Sequence, residues 1–311
     1  TPRKIVTKEA LNDAIVASMA MGASTNSVLH LMAIAYEANI DLTLDDFDKI
    51  SRNVPYICNI KPSGDYALAD LDSVGGIPAV LKSVEDYLSN DHLTVTGKTL
   101  LENIKEVEVV ENDVIYPLRA PKRKDGGIAI LRGSLAPDGA VVKQSGVKES
   151  MHYFKGKARV FNSMEEANFA VSNDMIKDGE VIVIRYEGPK GGPGMREMHM
   201  ITSLLVGRGM DEKCALVTDG RFSGSTRGPC IGHISPEAAA GGPIAIVEDG
   251  DIIEIDISNR KLELIVPKDV IEERMKRVEL IAKPSRGVLS KYADQVTSAD
   301  KGAVLIPNNI K

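Results

Sequence analysis

The chain has 311 residues, of which 43% are hydrophobic, 26% charged and 4% aromatic, with no tryptophan. That is ordinary globular composition, sized for one large domain or two ordinary ones. A formal net charge of −6 and scarce aromatic rings argue against a nucleic-acid partner, and no apolar run approaches the about 18 residues of a membrane span.

Thr7 stands where it can cap a helix that carries Leu11, Ala14, Ile15 and Met19 at helical spacing, and Gly22 stops it. A second helix opens in Ser24-Thr25-Asn26 and sets Leu29, Met32, Ala33 and Tyr36 on one face. Thr43 with Asp46 three residues later has the spacing of a capping box for a third. Pro55 to Gly64 lacks periodicity and reads as loop, after which Gly75-Gly76-Ile77-Pro78 introduces a helix running to about Leu88. Near residue 105 the character changes to short Val/Ile-rich runs between turn residues. Strands are expected at Ile128–Leu131, Ala140–Lys143, Ala158–Phe161, Val181–Tyr186, Ala215–Thr218, Ile244–Val247, Ile252–Ile257 and Leu262–Val266. Two helices intervene, one from Ser163 to Gly179 and one from about Arg196 to Val206, and Arg119–Asp125 reads as a linker. The pattern predicts an α/β (α+β) chain, helical over 1–115 and a β-rich barrel or sandwich over 116–311.

Two segments could carry chemistry. The glycine-rich Glu187–Met198 loop follows an apolar strand and precedes a helix, so its backbone N–H groups suit an anion, and a carboxylate such as Glu197 could give one oxygen to a hard cation. A glycine-rich turn with a solvated carboxylate fits that loop equally well; neither a dinucleotide nor a P-loop spacing is present. The second segment is Thr218-Asp219-Gly220-Arg221-Phe222-Ser223-Gly224, at a strand-to-loop junction of the kind that gathers α/β sites. It lacks the Gly-x-Ser-x-Gly elbow, and residues alone leave Ser223 as a turn serine. His30 and His199 lie among apolar helical neighbours and read as core imidazoles; no zinc spacing is present. Cys58, Cys214 and Cys230 form no paired framework, which points to buried thiols in a reduced, cytoplasmic setting. The start Thr1-Pro2-Arg3-Lys4 has no signal-peptide character, and its missing Met suggests that the chain begins inside a longer protein.

Several stretches in order resemble the family of dihydroxy-acid and sugar-acid dehydratases. They are Gly22-Ala23-Ser24-Thr25-Asn26, Lys61-Pro62-Ser63-Gly64, Val95-Thr96-Gly97-Lys98-Thr99, the Glu187–Met198 loop, Thr218–Gly224 and Gly232-His233-Ile234-Ser235-Pro236-Glu237-Ala238. Ala23 replaces the family's usual second glycine, and the ending from Gly287-Val288-Leu289 to Lys301-Gly302-Ala303 looks closest to the dihydroxy-acid branch. The resemblance implies dehydration of a 2,3-dihydroxy acid to a 2-keto acid in branched-chain amino-acid biosynthesis. It also implies Mg²⁺, an iron–sulfur cluster of the 2Fe-2S type, a homodimer and a barrel similar to the swivelling domains of other hydro-lyases. Ser223 would be the base, Glu197 a Mg²⁺ ligand, and Ser24, Thr25 and Asn26 substrate contacts. The family's cluster cysteines, metal-binding aspartates and Cys-Asp-Lys segment have no match here, so the resemblance covers a C-terminal portion that should not turn over alone. A sugar-acid dehydratase acting on gluconate or 6-phosphogluconate, and a non-catalytic scaffold of the same fold, remain as alternatives.

Overall fold

The computed structural model describes residues 1–89, 91–281 and 286–306. Seven helices come first: α1 (Pro2–Ile5), α2 (Lys8–Met21), α3 (Asn26–Glu37), α4 (Leu44–Asn53), α5 (Leu68–Ser73), α6 (Gly76–Ser83) and α7 (Leu100–Ile104). Their ends follow local chemistry. Thr7 Oγ1 accepts from the Ala10 N–H at 3.2 Å, and Gly22 closes α2 with a left-handed φ of 60°. Asp46 Oδ2 accepts from the Thr43 N–H at 2.8 Å, completing the capping box of α4. The buried face of α3 is Val28, Leu29, Met32 and Ala35, a rotation from the expected stripe that leaves Tyr36 exposed. His30 is exposed as well, so its expected place in the core is wrong.

Eight strands follow: β1 (Ala129–Gly133), β2 (Ala136–Val142), β3 (Tyr153–Phe161), β4 (Glu180–Ile184), β5 (Ala215–Thr218), β6 (Cys230–Ser235), β7 (Ile252–Asp256) and β8 (Lys261–Ile265). They close into a mixed barrel in the order β1-β2-β6-β5-β4-β3-β7-β8. The middle run β3, β4, β5 and β6 is parallel; β2 meets β1 and β6 antiparallel, as β7 meets β3 and β8. Of the helices after β3, α8 (Met164–Ser172) and α9 (His199–Gly207) lie within the parallel run, while α10 (Lys268–Arg277) and α11 (Val288–Gln295) follow the barrel.

Alternation along the strands divides the apolar residues into three cores. Ala129 and Leu131 of β1 point into the barrel with Val181, Val183, Ala215, Val217 and Ile231. Their neighbours Ile128 and Ile130, with Val141, face the other way and join Ile15, Met19, Met32 and Phe47 of the helical region. On the parallel side Ile182, Ile184 and Leu216 join Ala170, Ile201 and Leu205 of α8 and α9. Strands buried on both faces read as continuous apolar runs, which is why most were recognisable.

Further expectations fail, and the helix opened at Ser163 ends at Ser172 rather than Gly179. Ile244–Val247 is not a strand: Pro243–Ile246 forms a 3₁₀ turn, because Pro243 presets its first residue while the buried apolar side chains would suit either state. The strand β6, Cys-Ile-Gly-His-Ile-Ser, went unrecognised because Gly232 and His233 interrupt its apolar pattern. Arg119–Asp125 is no free tether either. Tyr56 N–H donates to the carbonyls of Arg123 and Asp125, and the Asp125 carboxylate accepts from Gln144 at 3.0 Å and Arg260 at 3.2 Å. The segment thus stitches the helices to the barrel.

At the same seam Gly127 lies against the end of α2, and a Cβ there would come within 2.3 Å of the Gly22 Cα. Gly127→Ala is expected to cost at least about 2 kcal/mol by overpacking two backbones. Urea unfolding of the wild type and variant checks it; an unchanged midpoint would contradict this close approach.

Candidate active site

The site forms where β5 ends and the segment Asp219–Gly224 begins. Asp219 has no exposed surface, and its carboxylate accepts from three backbone N–H groups: Tyr186 at 3.0 Å, Glu187 at 2.9 Å and Ala238 at 2.9 Å. Burial raises its pKa, against the lowering effect of these three bonds. Beyond it, Arg221 pairs with the glycine-rich loop: its N–H donates to Arg196 O at 3.1 Å and its carbonyl accepts from Met198 N–H at 2.8 Å. Glu197 is set opposite Arg221 by this pairing, and Arg221 Nη1 lies 2.6 Å from Glu197 Oε2. The guanidinium Nε also donates to Met195 O at 2.8 Å.

Ser223 follows, half-buried, with its Oγ 3.0 Å from Ser225 Oγ. The turn before α3 is brought to the same place. Asn26 Nδ2 donates to Phe222 O at 3.0 Å, and a Cβ on Gly224 would stand 3.2 Å from Ser24 Cβ. Thr25 Oγ1 and Asn26 Oδ1 are buried without a hydrogen-bond partner among the described residues. Buried orphan acceptors and hydroxyls are costly, and here they lie on the turn that Asn26 ties to Phe222, the residue before Ser223. The five residues singled out from sequence, Ser24, Thr25, Asn26, Glu197 and Ser223, therefore belong to one neighbourhood, joined through Phe222 and Arg221.

The glycine-rich loop does not bind a foreign anion at its tip. Glu237, 1% exposed, puts its carboxylate into that cradle and accepts from Lys190 N–H and Gly191 N–H, each at 2.9 Å. Most of the loop is buried, so the solvated turn is also excluded; α9 starts only at His199, which is exposed rather than a core imidazole.

Two residues escaped sequence reasoning. Lys143, at the end of β2, is 8% exposed and donates from Nζ to Gly224 O at 3.1 Å. Desolvation pushes its pKa down to about 8. Its signal in the sequence is an ammonium at the end of an apolar strand run. His233 sits in a bulge of β6 with φ 56°, where β2 pairs Gly139 with Ser235 but Val141 with Gly232. Its Nε2 is buried without a partner among the described residues, and burial, with the charges of Arg221 and His30, drives its pKa down to about 3. The ring is a neutral hydrogen-bonding group rather than a proton carrier near pH 7.

The metal fit is uneven. Glu197 offers a half-open carboxylate, suited to supply one oxygen to Mg²⁺. Among the described residues no cluster of three or more His, Cys, Asp or Glu could hold an ion. The cysteines do not fit an iron–sulfur cluster. Cys58 lies in the helical core and Cys214 and Cys230 in the outer layer of the barrel, and burial pushes the Cys58 and Cys230 thiols up to about 12.

The barrel with a strand-end serine, an acidic partner and a polar helix-start turn now meets its relatives. The family model described as Dihydroxy-acid/6-phosphogluconate dehydratase C-terminal matches residues 113–303, and its N-terminal counterpart matches residues 1–103. The chain belongs to the dihydroxy-acid/6-phosphogluconate dehydratase family. It is 57% identical over 308 residues to a dihydroxy-acid dehydratase of Ignicoccus hospitalis, 56% over 307 to one of Clostridium novyi and 52% over 307 to one of Aquifex aeolicus. These alignments cover 97–98% of this chain and 55–56% of the relatives, so the chain spans about half the length of the curated proteins it matches.

The buried carboxylate of Glu237 makes a pH prediction. Desolvation raises its pKa from 4.5 to about 7, so the folded state holds a proton that the unfolded state has released between these values. This contribution is complete below about pH 4.5 and is lost as pH rises through about 7, on the order of 3 kcal/mol in all. Glu237→Gln should remove that slope, gaining stability over the wild type at pH 7.5 but not at pH 4.5. Urea unfolding of both proteins at the two pH values checks the sign.

Proposed function

We propose that this chain is the serine- and glutamate-bearing portion of a dihydroxy-acid dehydratase, a hydro-lyase that converts a 2,3-dihydroxy acid to a 2-keto acid in branched-chain amino-acid biosynthesis. The observation that carries the reading is the hydrogen bond from Asn26 to Phe222 O, which seats the Ser24–Asn26 turn against Ser223 while Arg221 holds Glu197 alongside. Names of the relatives favour a dihydroxy acid over a sugar acid.

In this mechanism Ser223 Oγ, as its oxyanion, accepts the proton from C2, the C3–O bond breaks with the hydroxide taking up a solvent proton to leave as water, and the resulting enol tautomerises to the ketone. Glu197 would hold Mg²⁺, which when bound would supply Lewis-acid chemistry that acidifies the substrate's C2 proton. The orphan oxygens of Thr25 and Asn26 are suited to the substrate's hydroxyl groups. No step passes through an iron–sulfur cluster on this chain, because its cysteines do not suit one; the ligands of such a cluster belong to the part of the relatives' length that these residues do not span. The isolated 311-residue chain is accordingly inactive in this reading. A boundary near residue 115, a homodimeric assembly and a reducing cytoplasmic setting complete it, in keeping with three free cysteines. No helix of the described residues is long and apolar enough to cross a membrane.

The test is made on the protein at the full length of its relatives, assayed with 2,3-dihydroxyisovalerate and with gluconate in parallel. Dihydroxyisovalerate should be preferred, and Ser223→Ala should lower turnover at least about 1,000-fold, in the range of a lost catalytic base. Iron and magnesium content should be unchanged. Wild-type rates in that variant would remove Ser223 from the base role, and preference for gluconate would move the substrate to the sugar acids.

A further inference from the structure

A serine hydroxyl has an ordinary pKa far above neutrality, and it yields a proton only where a fixed positive charge favours its oxyanion. Arg221 is committed elsewhere, to Glu197 and to Met195 O. Lys143 is the cation that reaches the serine loop from another element. Its Nζ donates to the carbonyl of Gly224, the residue directly after Ser223. No carboxylate pairs with it among the described residues, and burial alone accounts for the downward shift of its pKa.

Leaving an ammonium buried without a counter-charge costs free energy that a neighbouring Asp or Glu would offset. Only a backbone carbonyl meets it here, so the positive charge stays available to a negative charge that develops nearby. Gly224 is also closely packed, with Ser24 Cβ 3.2 Å from where a Cβ would stand. Lys143, the Ser24 turn and the Ser223–Gly224 peptide thus converge from β2, the start of α3 and the loop after β5.

We infer that Lys143 is a positioning residue for Ser223: anchored on the Gly224 carbonyl, it fixes the peptide that carries the base and supplies the positive charge against which Ser223 Oγ releases its proton. The inference rests on the reading of Ser223 as the base. It adds no covalent step; the proton leaves Oγ to solvent before the cycle and returns from C2 within it.

The test reads the acidity of Ser223 without dehydratase activity. The 311-residue chain is treated with a fluorophosphonate, whose fluoride is displaced by an activated serine, and the label on the Ser223 peptide is quantified by mass spectrometry. Ser223→Ala serves as the blank. Wild type should label at Ser223, Lys143→Met and Lys143→Gln at least tenfold more slowly, and Lys143→Arg within threefold of wild type. Amide hydrogen exchange across residues 218–230 confirms that each variant keeps its loop, and a variant that loses it is replaced in the comparison by the other neutral one. The inference is overturned by three results: no label on Ser223 in the wild type, equal labelling in the neutral variants, or a loss that arginine does not restore. Failure of the base reading has its own signature, retained turnover of Ser223→Ala at full length, and the labelling rates would still say whether Lys143 acidifies this hydroxyl.

Discussion

One carboxylate without solvent access organises the working end of the barrel. Asp219 draws the ends of two neighbouring parallel strands and the start of the Ala238–Ala240 turn onto a single side chain by accepting from three main-chain donors. A buried main-chain donor left unmet costs about 1–3 kcal/mol, and this one carboxylate meets three of them. The same bonds set the direction in which the chain leaves β5, and Arg221, Phe222 and Ser223 inherit their places from it.

Behind this carboxylate the protein fills its own anion cradle. Gly188 leaves room for Glu237 to lie against the loop, since a Cβ there would fall 2.7 Å from Glu237 Oε2, and Gly192 does the same for Glu187, whose Oε2 would be 2.8 Å away. Glu187 plays a matching part from the loop's start, accepting from Met164 N–H and from Arg196. Two of the glycines thus serve internal carboxylates, and Glu197 on the outer stretch stays half-open, paired with Arg221. Rigid support beneath a half-open functional group is what precise positioning requires.

Much of the fold was legible where one local rule acted alone. Thr7, Gly22 and the Thr43–Asp46 pair announce helix ends through caps that hardly depend on tertiary context, and β4 and β5 announce themselves through apolar runs buried on both faces. Legibility failed where tertiary packing decided. Ile244–Val247 is apolar in either a strand or a turn, the buried face of α3 is chosen by α2 and the Ala299–Lys301 turn packed on it, and β6 contains a glycine and a histidine, the latter at positive φ. The site shows the same division. Ser223 and Glu197 were found through motifs that resemble a family, since residue spacing by itself gave only a turn serine and a carboxylate. Lys143 lies about 80 residues from its partner Gly224, and no local pattern links the two.

The bond from Asn26 to Phe222 spans 196 positions of the chain, and the contact of Ser235 with Ser298 adds another of 63. Closing such loops takes entropy that is recovered only once the elements between them are in place. Helices with strong caps and the hairpin of β7 and β8 can form from nearby residues, whereas the serine's surroundings must wait for nearly the whole barrel. The serine's surroundings are therefore expected to complete late in folding, once β2, β5 and the start of α3 have met.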